Sequence, residues 1–255
     1  MIVIVTRPAH AGHRLFDRVL EQGHETVWWP AFEIGAAPDP IAARNAVGQL
    51  AEYQLAVFVS ATAVSATRAL LHDAWPAQTL IGAVGPSTRA AVEAELGLAA
   101  GSIMIAPSDA GGSGSESFWN AWQASGCRAQ NVLLLRAADG RDWLSERFVE
   151  SGAVVNAVAV YSRVPRQLST AARAQLEDWI SQGVCALTIF SSTEAVGALD
   201  AQVGADGQNW LRAGIAVACH PRIGDRLSSN GYARVWDATF DDDSIIAKLE
   251  LIRAG

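Results

Sequence analysis

The segment VLLLRAADGRDWLSERFVESGA at 132–153 decides the fold, because residues 3–24 near the start of the chain repeat it. Five residues recur at one constant step of 129, from position 7 to 136 and from 23 to 152. The pairs are Arg7 with Arg136, Leu15 with Leu144, Arg18 with Arg147, Glu21 with Glu150, and Gly23 with Gly152. Both glycines stand where the C-terminal glycine of a helix is expected. Five identities in one register indicate a duplicated unit.

Two shorter motifs extend the repeat through the rest of each half. FVSATAV at 58–64 matches FSSTEAV at 190–196, and AVGPS at 83–87 matches ACHPR at 218–222. Clefts between domains are preferred sites for small ligands. The duplication therefore predicts two similar lobes with a ligand site between them.

Short apolar runs alternate with longer amphipathic stretches along the chain. The runs are IVIV at 2–5, LAVFV at 55–59, LIGAV at 80–84, VLLL at 132–135, ALTIF at 186–190 and IAVAC at 215–219. Continuous apolar runs of this kind are typical of strands that are buried on both faces of a parallel sheet. The stretches between them predict crossover helices.

Two extended segments are candidate linkers: VWWP at 27–30 followed by AFEIG, and AVAVYSRVP at 157–165. If both segments cross between lobes, one lobe contains both chain ends and the other contains the middle of the chain. We therefore predict lobe 1 at residues 1–32 and 166–255 and lobe 2 at 38–157. Residues 33–37 and 158–165 are predicted to be the linker strands.

The composition argues against several classes of protein. A net charge of −7 and a pI near 5.2 disfavour a general nucleic-acid or anionic-membrane surface. Three widely spaced cysteines, Cys127, Cys185 and Cys219, indicate neither a disulfide framework nor a zinc site. MIVIVTRP at the start leaves no room for a signal peptide, and no apolar run is long enough for a membrane span. A cytoplasmic monomer is expected.

Five turns between a strand and a helix are candidate ligand-binding sites. They would place backbone N–H groups and positive helix ends at the carboxyl edge of a sheet, where open α/β folds bind ligands. The candidates are Ser60, Ala61 and Thr62; Gly85, Pro86, Ser87 and Thr88; Gly114, Ser115 and Glu116; Ser191 and Ser192; and His220 and Pro221. Each turn alone is also explained by ordinary helix capping. Their number favours an anion-binding cleft.

Arg7 and Arg136 follow equivalent predicted strands and are candidates for binding carboxylates. The alternative is that they form salt bridges to Asp17, or to Asp139 and Asp142. Motifs for other chemistry are missing: the sequence has no GxxxxGK[ST], no GxGxxG after the first strand and no GxSxG. His10 and His13 are three residues apart without a nearby third ligand, so a metal site is not expected there.

The ordered set of motifs resembles the uroporphyrinogen-III synthase family over essentially the whole chain. The residues that carry the resemblance are VTRP at 5–8, FVSATAV at 58–64, AVGPST at 83–88, GSESFW at 114–119, the segment at 132–153, VYSR at 160–163, TIFSSTEAV at 188–196 and HPRI at 220–223. The resemblance implies an α/β fold of two Rossmann-like or flavodoxin-like lobes with parallel sheets, joined by a two-stranded β linker.

The resemblance also implies a reaction that needs no cofactor. Its substrate is hydroxymethylbilane, a linear tetrapyrrole supplied by the preceding pathway enzyme. Loss of the terminal hydroxyl as water leaves an azafulvene cation, which the substituted carbon of the last pyrrole ring attacks. The resulting spirocyclic pyrrolenine fragments and recloses with ring D inverted, which gives uroporphyrinogen III. Spontaneous closure gives the type I isomer.

Residue roles follow from the same resemblance. Tyr161 in VYSR matches a tyrosine that assists departure of the hydroxyl as a hydrogen-bond or proton donor. Thr88 and Ser191 match hydroxyl groups near the substrate. HPRI places Arg222 and Ile223 where some relatives carry a threonine, so a hydroxyl contact from that turn is in doubt.

Two other functions remain open from the sequence. One is a non-catalytic two-lobed binder or sensor of an anionic small molecule, which the HPRI turn favours. The other is a nucleotide-dependent transferase, which the missing glycine motifs disfavour. Turnover of hydroxymethylbilane separates the synthase from both.

Overall fold

The structure is a computed structural model, and it describes residues 1–98, 102–107 and 114–254. The chain divides into two compact units. Unit 1 comprises Met1–Ile34 and Val164–Gly255, and unit 2 comprises Gly35–Arg163. The exact lobe limits and the separate linker strands given above stay predictions.

Strands and helices alternate through the described residues. The strands are β1 (Ile2–Val5), β2 (Thr26–Trp28), β3 (Phe32–Gly35), β4 (Leu55–Phe58), β5 (Leu80–Ala83), β6 (Met104–Ile105), β7 (Asn131–Ala137), β8 (Val154–Pro165), β9 (Ala186–Phe190), β10 (Ile215–Ala218) and β11 (Val235–Asp237). The helices are α1 (Ala9–Glu21), α2 (Pro40–Gly48), α3 (Ala61–Leu70), α4 (Pro86–Glu95), α5 (Ser115–Ala124), α6 (Trp143–Glu150), α7 (Thr170–Ser181), α8 (Thr193–Ala213), α9 (Pro221–Ser229) and α10 (Asp242–Ala254). A short 3-10 helix occupies Leu50–Glu52.

The sheet of unit 1 has the strand order β11-β10-β9-β1-β2, and each pair of neighbours is parallel. Numbered along this unit, the order is 2-1-3-4-5, which is the flavodoxin-like arrangement. All residues of β1, β9 and β10 are buried, because helices cover both faces of a parallel sheet. That burial is the reason for their nearly continuous apolar sequence.

The sheet of unit 2 has the order β3-β8-β7-β4-β5-β6. The pairings of β8 with β7, β7 with β4, β4 with β5 and β5 with β6 are parallel. Each unit also has its own apolar core, with Ile4 and Phe190 in unit 1 and Phe118 and Phe148 in unit 2. The predicted α/β class with a parallel sheet in each half of the molecule is therefore confirmed.

The sequence repeat and the two units divide the chain differently. By the repeat, β7 and β8 correspond to β1 and β2, and β4 and β5 correspond to β9 and β10. The corresponding strands occupy the same order in both sheets. Along the chain, however, unit 1 begins with β1, whereas the first of the corresponding strands in unit 2 is β4, the counterpart of β9. Each half of the sequence thus gives one βαβ segment to one unit and the remaining strands to the other unit.

The glycines of the repeat end equivalent helices. Gly23 has φ 78° and Gly152 has φ 91°, and both conformations are left-handed. The N–H of Gly23 donates to the carbonyl of Leu20 at 2.9 Å, and that of Gly152 donates to Val149 at 2.9 Å. The predicted C-terminal glycines are confirmed, and they follow α1 and α6.

Substitution of either glycine tests this conformational requirement. A Cβ added at Gly23 or Gly152 meets no atom within 4 Å, so only the positive φ penalises a side chain. We expect Gly23→Ala and Gly152→Ala each to lower the free energy of unfolding by about 1–2 kcal/mol in urea titrations. Gly48→Ala is the control: Gly48 lies in α2, and its added Cβ also meets nothing within 4 Å. That control should raise stability by up to about 1 kcal/mol, and equal losses in all three variants would contradict the explanation.

Candidate active site

In unit 2 the predicted turns lie where strands end and helices begin. Ser60 follows β4 and is the N-cap of α3, and its Oγ accepts a hydrogen bond from the N–H of Ala63 at 3.1 Å. Gly85 follows β5 and caps α4, where Pro86 is the first helical residue. Gly114 caps α5 with φ 104°. Three helix N-termini are therefore at the carboxyl edge of this sheet.

The other predicted residues of these turns differ in exposure. Ala61 and Thr62 begin α3 and are half-buried, whereas Pro86 and Ser87 are exposed. Thr88 is 3% exposed and Ser115 is 8% exposed. Glu116 forms an ion pair with Arg141 at 3.2 Å.

Two predicted turns occupy the same position in unit 1. Ser192 follows β9 and caps α8 by accepting from the N–H of Ala195 at 3.1 Å, as Ser60 does in unit 2. Ser191 next to it is half-buried. His220 follows β10, and its Nδ1 accepts from the N–H of Arg222 at 3.2 Å, while Pro221 begins α9. Helix capping accounts for the hydrogen bonds of Ser192 and His220 given above, and the ring of His220 also lies 6.3 Å from that of Phe240.

A β-bulge determines the position of Tyr161 in β8. Regular pairing with β7 joins Leu135 to Val158 and Arg136 to Ala159, but Ala137 is opposite Tyr161. The extra residue, Val160, is 4% exposed and Tyr161 is 3% exposed, so two consecutive side chains are buried where a regular strand alternates. Bulges of this kind re-aim side chains beside active sites.

The Tyr161 hydroxyl is hydrogen-bonded to Ser60. The two oxygens are 3.1 Å apart, and either can be the donor. The residues are separated by 101 positions in the chain, and the β-sheet of unit 2 brings them together. The structure thus joins the predicted tyrosine to one of the predicted turns, which the sequence analysis had treated separately.

The two repeated arginines form ion pairs. Nη1 of Arg7 donates to Oδ1 of Asp242 at 2.8 Å, and Nη2 donates to the carbonyl of Phe240 at 2.9 Å. Arg136 contacts Asp142 at 2.8 Å and donates to the carbonyl of Gly140 at 2.7 Å. The predicted partner Asp142 is confirmed, but Asp17 is wrong for Arg7. Its partner comes from the other end of the chain, which local sequence spacing does not reveal.

Asp242 is a residue that the sequence analysis did not connect to the site. It begins α10, its side chain is 5% exposed, and it also accepts from Nε of Arg14 at 2.8 Å. Asp241 before it caps the helix by accepting from the N–H of Ser244 at 2.7 Å. The pKa of Asp241 is lowered, first by a hydrogen bond from the Thr239 hydroxyl and then by the Ser244 N–H. The acidic run at 241–243 was the signal that could have suggested the pairing.

Cys219 lies directly after β10, near Arg7. Burial raises the pKa of its thiol to about 11, although the neighbouring Arg7 guanidinium acts in the opposite direction. The thiol is therefore protonated at neutral pH and is not a nucleophile.

In the described part of the chain, no group of three or more His, Cys, Asp or Glu side chains could hold a metal ion. The side chain of His10 lies outside the described residues, and the ring of His13 packs 3.7 Å from that of Trp28. No helix within the described ranges is long and apolar enough to cross a membrane.

The fold and these turns define a duplicated α/β protein with helix N-termini at the carboxyl edge of each of two parallel sheets. Residues 14–247 match the family model of uroporphyrinogen-III synthase HemD. The chain belongs to the uroporphyrinogen-III synthase family.

Individual relatives agree with this family. A uroporphyrinogen-III synthase of Proteus mirabilis is 27% identical over 167 residues, which are 64% of this chain and 81% of the relative. One of Salmonella typhimurium is 26% identical over 194 residues, which are 75% of this chain and 76% of the relative. The fold is similar to that of a Thermus thermophilus uroporphyrinogen III synthase mutant, with a TM-score of 0.62, 17% identity and coverage of 100% and 99%. A Helicobacter pylori uroporphyrinogen-III synthetase gives a TM-score of 0.52 at 14% identity, with coverage of 99% and 98%.

The buried ion pair of Arg7 can be tested by comparing two neighbouring aspartates. Asp242→Ala leaves the Arg7 guanidinium buried without its carboxylate, so we expect it to lower the free energy of unfolding by about 3 kcal/mol. Asp243→Ala is the control, because the Asp243 side chain is 86% exposed and its pair with Arg18 is at the surface. Urea unfolding should leave this control nearly unchanged. Similar losses in both variants would show that the first turn of α10, rather than the buried pair, carries the stability.

Proposed function

We propose that this chain converts hydroxymethylbilane to uroporphyrinogen III with loss of water and inversion of ring D. The observation that carries this proposal is the match to the synthase family over residues 14–247. The structure supports the proposed site by holding the hydroxyl of Tyr161 against Ser60, the N-cap of α3. The reaction is a cyclising elimination, and we propose that it uses no cofactor.

The first step of the proposed mechanism is departure of the terminal hydroxyl. The carbon–oxygen bond of the hydroxymethyl group breaks, and its electron pair leaves with the oxygen. The Tyr161 hydroxyl donates the proton that converts this oxygen to water. The adjacent pyrrole nitrogen stabilises the remaining azafulvene cation. The substituted carbon of ring D then attacks, and the spirocyclic intermediate fragments and recloses to the type III macrocycle.

Positioning of the substrate determines which isomer forms. Spontaneous closure gives type I, so the protein must hold ring D with its substituted carbon nearest the cation. We propose that the turns at the carboxyl edges of the two sheets bind the eight substrate carboxylates. Backbone N–H groups at helix N-termini suit this task because they attract anions without adding charged side chains. The chain can then bind a polyanion despite its net charge of −7.

Different turns would contribute different numbers of donors. α9 offers fewer free backbone donors than α3 and α8, because Pro221 lacks an N–H and the Arg222 N–H is bound by His220. In α4, the N–H missing at Pro86 is offset by the absence of a side-chain cap. We propose that Thr88 and Ser191 add hydroxyl contacts. Arg7 and Arg136 are already paired with aspartates. We therefore propose that they stabilise the turns, and that they attract substrate carboxylates from a distance without hydrogen-bonding to them.

We further propose that the chain acts as a cytoplasmic monomer. All three cysteines are free in the structure, which fits a reducing compartment. The amino-acid sequence of the chain shows no continuous apolar surface stripe of the kind that a dimer interface would bury. Sedimentation of the purified chain at micromolar concentration measures the state of association.

The function is tested by the identity of the product. Purified protein is given fresh hydroxymethylbilane, the products are oxidised, and uroporphyrins I and III are separated by chromatography. We expect type III to predominate, and kcat of Tyr161→Phe to be about 100-fold lower because the positioned proton donor is lost. Product affinity should stay nearly unchanged, since the ring remains.

Tyr53→Phe is the matched control for this substitution. The Tyr53 hydroxyl accepts from Nδ2 of Asn156 at 2.7 Å on the surface, away from the proposed chemistry, so kcat should not change. Type I alone, formed at the spontaneous rate by the wild-type protein, would refute the synthase and favour a binder of anionic ligands. Wild-type turnover in Tyr161→Phe would remove only the role of Tyr161.

A further inference from the structure

We propose that Ser60 is a positioning residue that donates a hydrogen bond to the Tyr161 oxygen while Tyr161 gives its proton to the substrate. This inference rests on the proposed function of Tyr161. It assigns to Ser60 a task other than binding substrate or capping α3.

The hydrogen-bonding capacity of Ser60 allows it to donate to Tyr161 while it caps α3. Its Oγ accepts from the N–H of Ala63 at 3.1 Å, which leaves one lone pair and its own O–H; of the two possible directions, donation to Tyr161 is the one that keeps the Tyr161 proton available. The Tyr161 oxygen is 3.1 Å away, and the tyrosine side chain is held in place by burial, with 3% of the residue exposed. Donation from Ser60 leaves the Tyr161 proton free for the leaving hydroxyl.

The proton balance shows when this bond matters most. When the carbon–oxygen bond breaks, the Tyr161 proton moves to the departing oxygen and negative charge develops on the phenol oxygen. The Ser60 O–H then donates to a charged acceptor, and such hydrogen bonds are stronger than neutral ones. The N–H of Ala63 and the positive end of α3 polarise Ser60 in the same direction. Re-formation of aromatic pyrroles at the end of the reaction releases a proton, which returns to Tyr161.

The repeat indicates that this pair is not required by the architecture. Ser192 caps α8 through Ala195 at 3.1 Å, with the same geometry as Ser60 and Ala63. The position 129 residues before Tyr161 is Phe32, which has no hydroxyl. The fold therefore forms twice with the capping serine, but the serine–tyrosine pair exists in one copy.

Three substitutions at Ser60 separate donation from helix capping. Ser60→Ala removes both functions. Ser60→Asp keeps a capping oxygen for the Ala63 N–H but has no proton to donate at neutral pH. Ser60→Thr keeps both. We expect kcat to fall on the order of tenfold in Ser60→Ala and at least as much in Ser60→Asp, and to be near wild type in Ser60→Thr. KM should change little in Ser60→Ala and Ser60→Thr, and it should rise in Ser60→Asp because the added carboxylate repels the polyanionic substrate.

A double-mutant cycle tests whether Ser60 acts through Tyr161. In the Tyr161→Phe background, Ser60→Ala should cause no further loss of kcat, because the oxygen that it stabilises is absent. Ser169→Ala is the matched capping control: Ser169 is the exposed N-cap of α7 and accepts from Ala172 at 3.2 Å. It should lower the thermal midpoint about as much as Ser60→Ala and leave kcat unchanged.

The outcomes distinguish this inference from the proposed function. Wild-type kcat in Ser60→Ala, restored kcat in Ser60→Asp, or additive losses in the double variant would each overturn the role of Ser60 while Tyr161→Phe remains slow. Absence of type III product from the wild-type protein would overturn the proposed function itself. The thermal midpoint of each variant shows whether it is folded. Ser60→Thr shows whether the position tolerates another side chain that carries a hydroxyl group.

Discussion

Parallel pairing of β1 with β9 holds unit 1 together across most of the chain length. Ile2 pairs with Ala186 and Val5 with Ile189, so the two halves of the sequence must meet before this sheet exists. The corresponding pairing in unit 2 joins β4 to β7, from Leu55 to Val132, within one continuous stretch. Loop closure costs more for the longer separation. The two units thus contain the same arrangement of strands with different connectivity. Of the two, unit 1 is the one that requires both ends of the chain.

The repeated arginines have unlike partners although the corresponding strands occupy the same order in both sheets. Arg136 is paired within its own strand–turn–helix segment, with Asp142. Arg7 instead reaches Asp242, because the turn after β1 lies beside the helix that follows β11. Both pairs stabilise the turn after an equivalent strand, but only the Arg7 pair ties the last helix to the first strand. The interaction therefore depends on the pairing of β1 with β9 having formed.

Local patterns in the sequence were sufficient for the central strands and the helix-ending glycines. The apolar runs at 2–5, 55–59 and 186–190 coincide with β1, β4 and β9, since burial on both faces demands an unbroken apolar sequence. The edge strands β6 and β11 are short and partly exposed, so no such demand acts on them and no run marks them. The segment Thr193–Ala213 is interrupted at Gly204, whose φ of 71° and ψ of −176° are not helical, so two helices meet there at a kink.

Contacts between distant elements could not be predicted in the same way. The bulge that places Tyr161 opposite Ala137 lies in VAVYSR, which contains no glycine and has no local signal. The partner of Tyr161 is set by the order of β8, β7 and β4, which only the folded sheet determines. The candidate turns were recognisable as helix starts, but their separate roles depend on these long-range positions.

The proposed acid also suits the charge of the substrate. At neutral pH an ordinary carboxyl group is ionised, and an imidazolium is positive when it is ready to donate. Either group would therefore place a full charge beside the polyanion before the reaction, with repulsion in the first case and strong ground-state binding in the second. A phenol is neutral before the reaction, so it neither repels the substrate carboxylates nor competes for them. It becomes negative only when the azafulvene cation forms, and the two opposite charges then stabilise each other at the moment of bond breaking. A neutral hydroxyl such as that of Ser60 is the matching partner, because it stabilises the phenolate without adding charge before the proton moves.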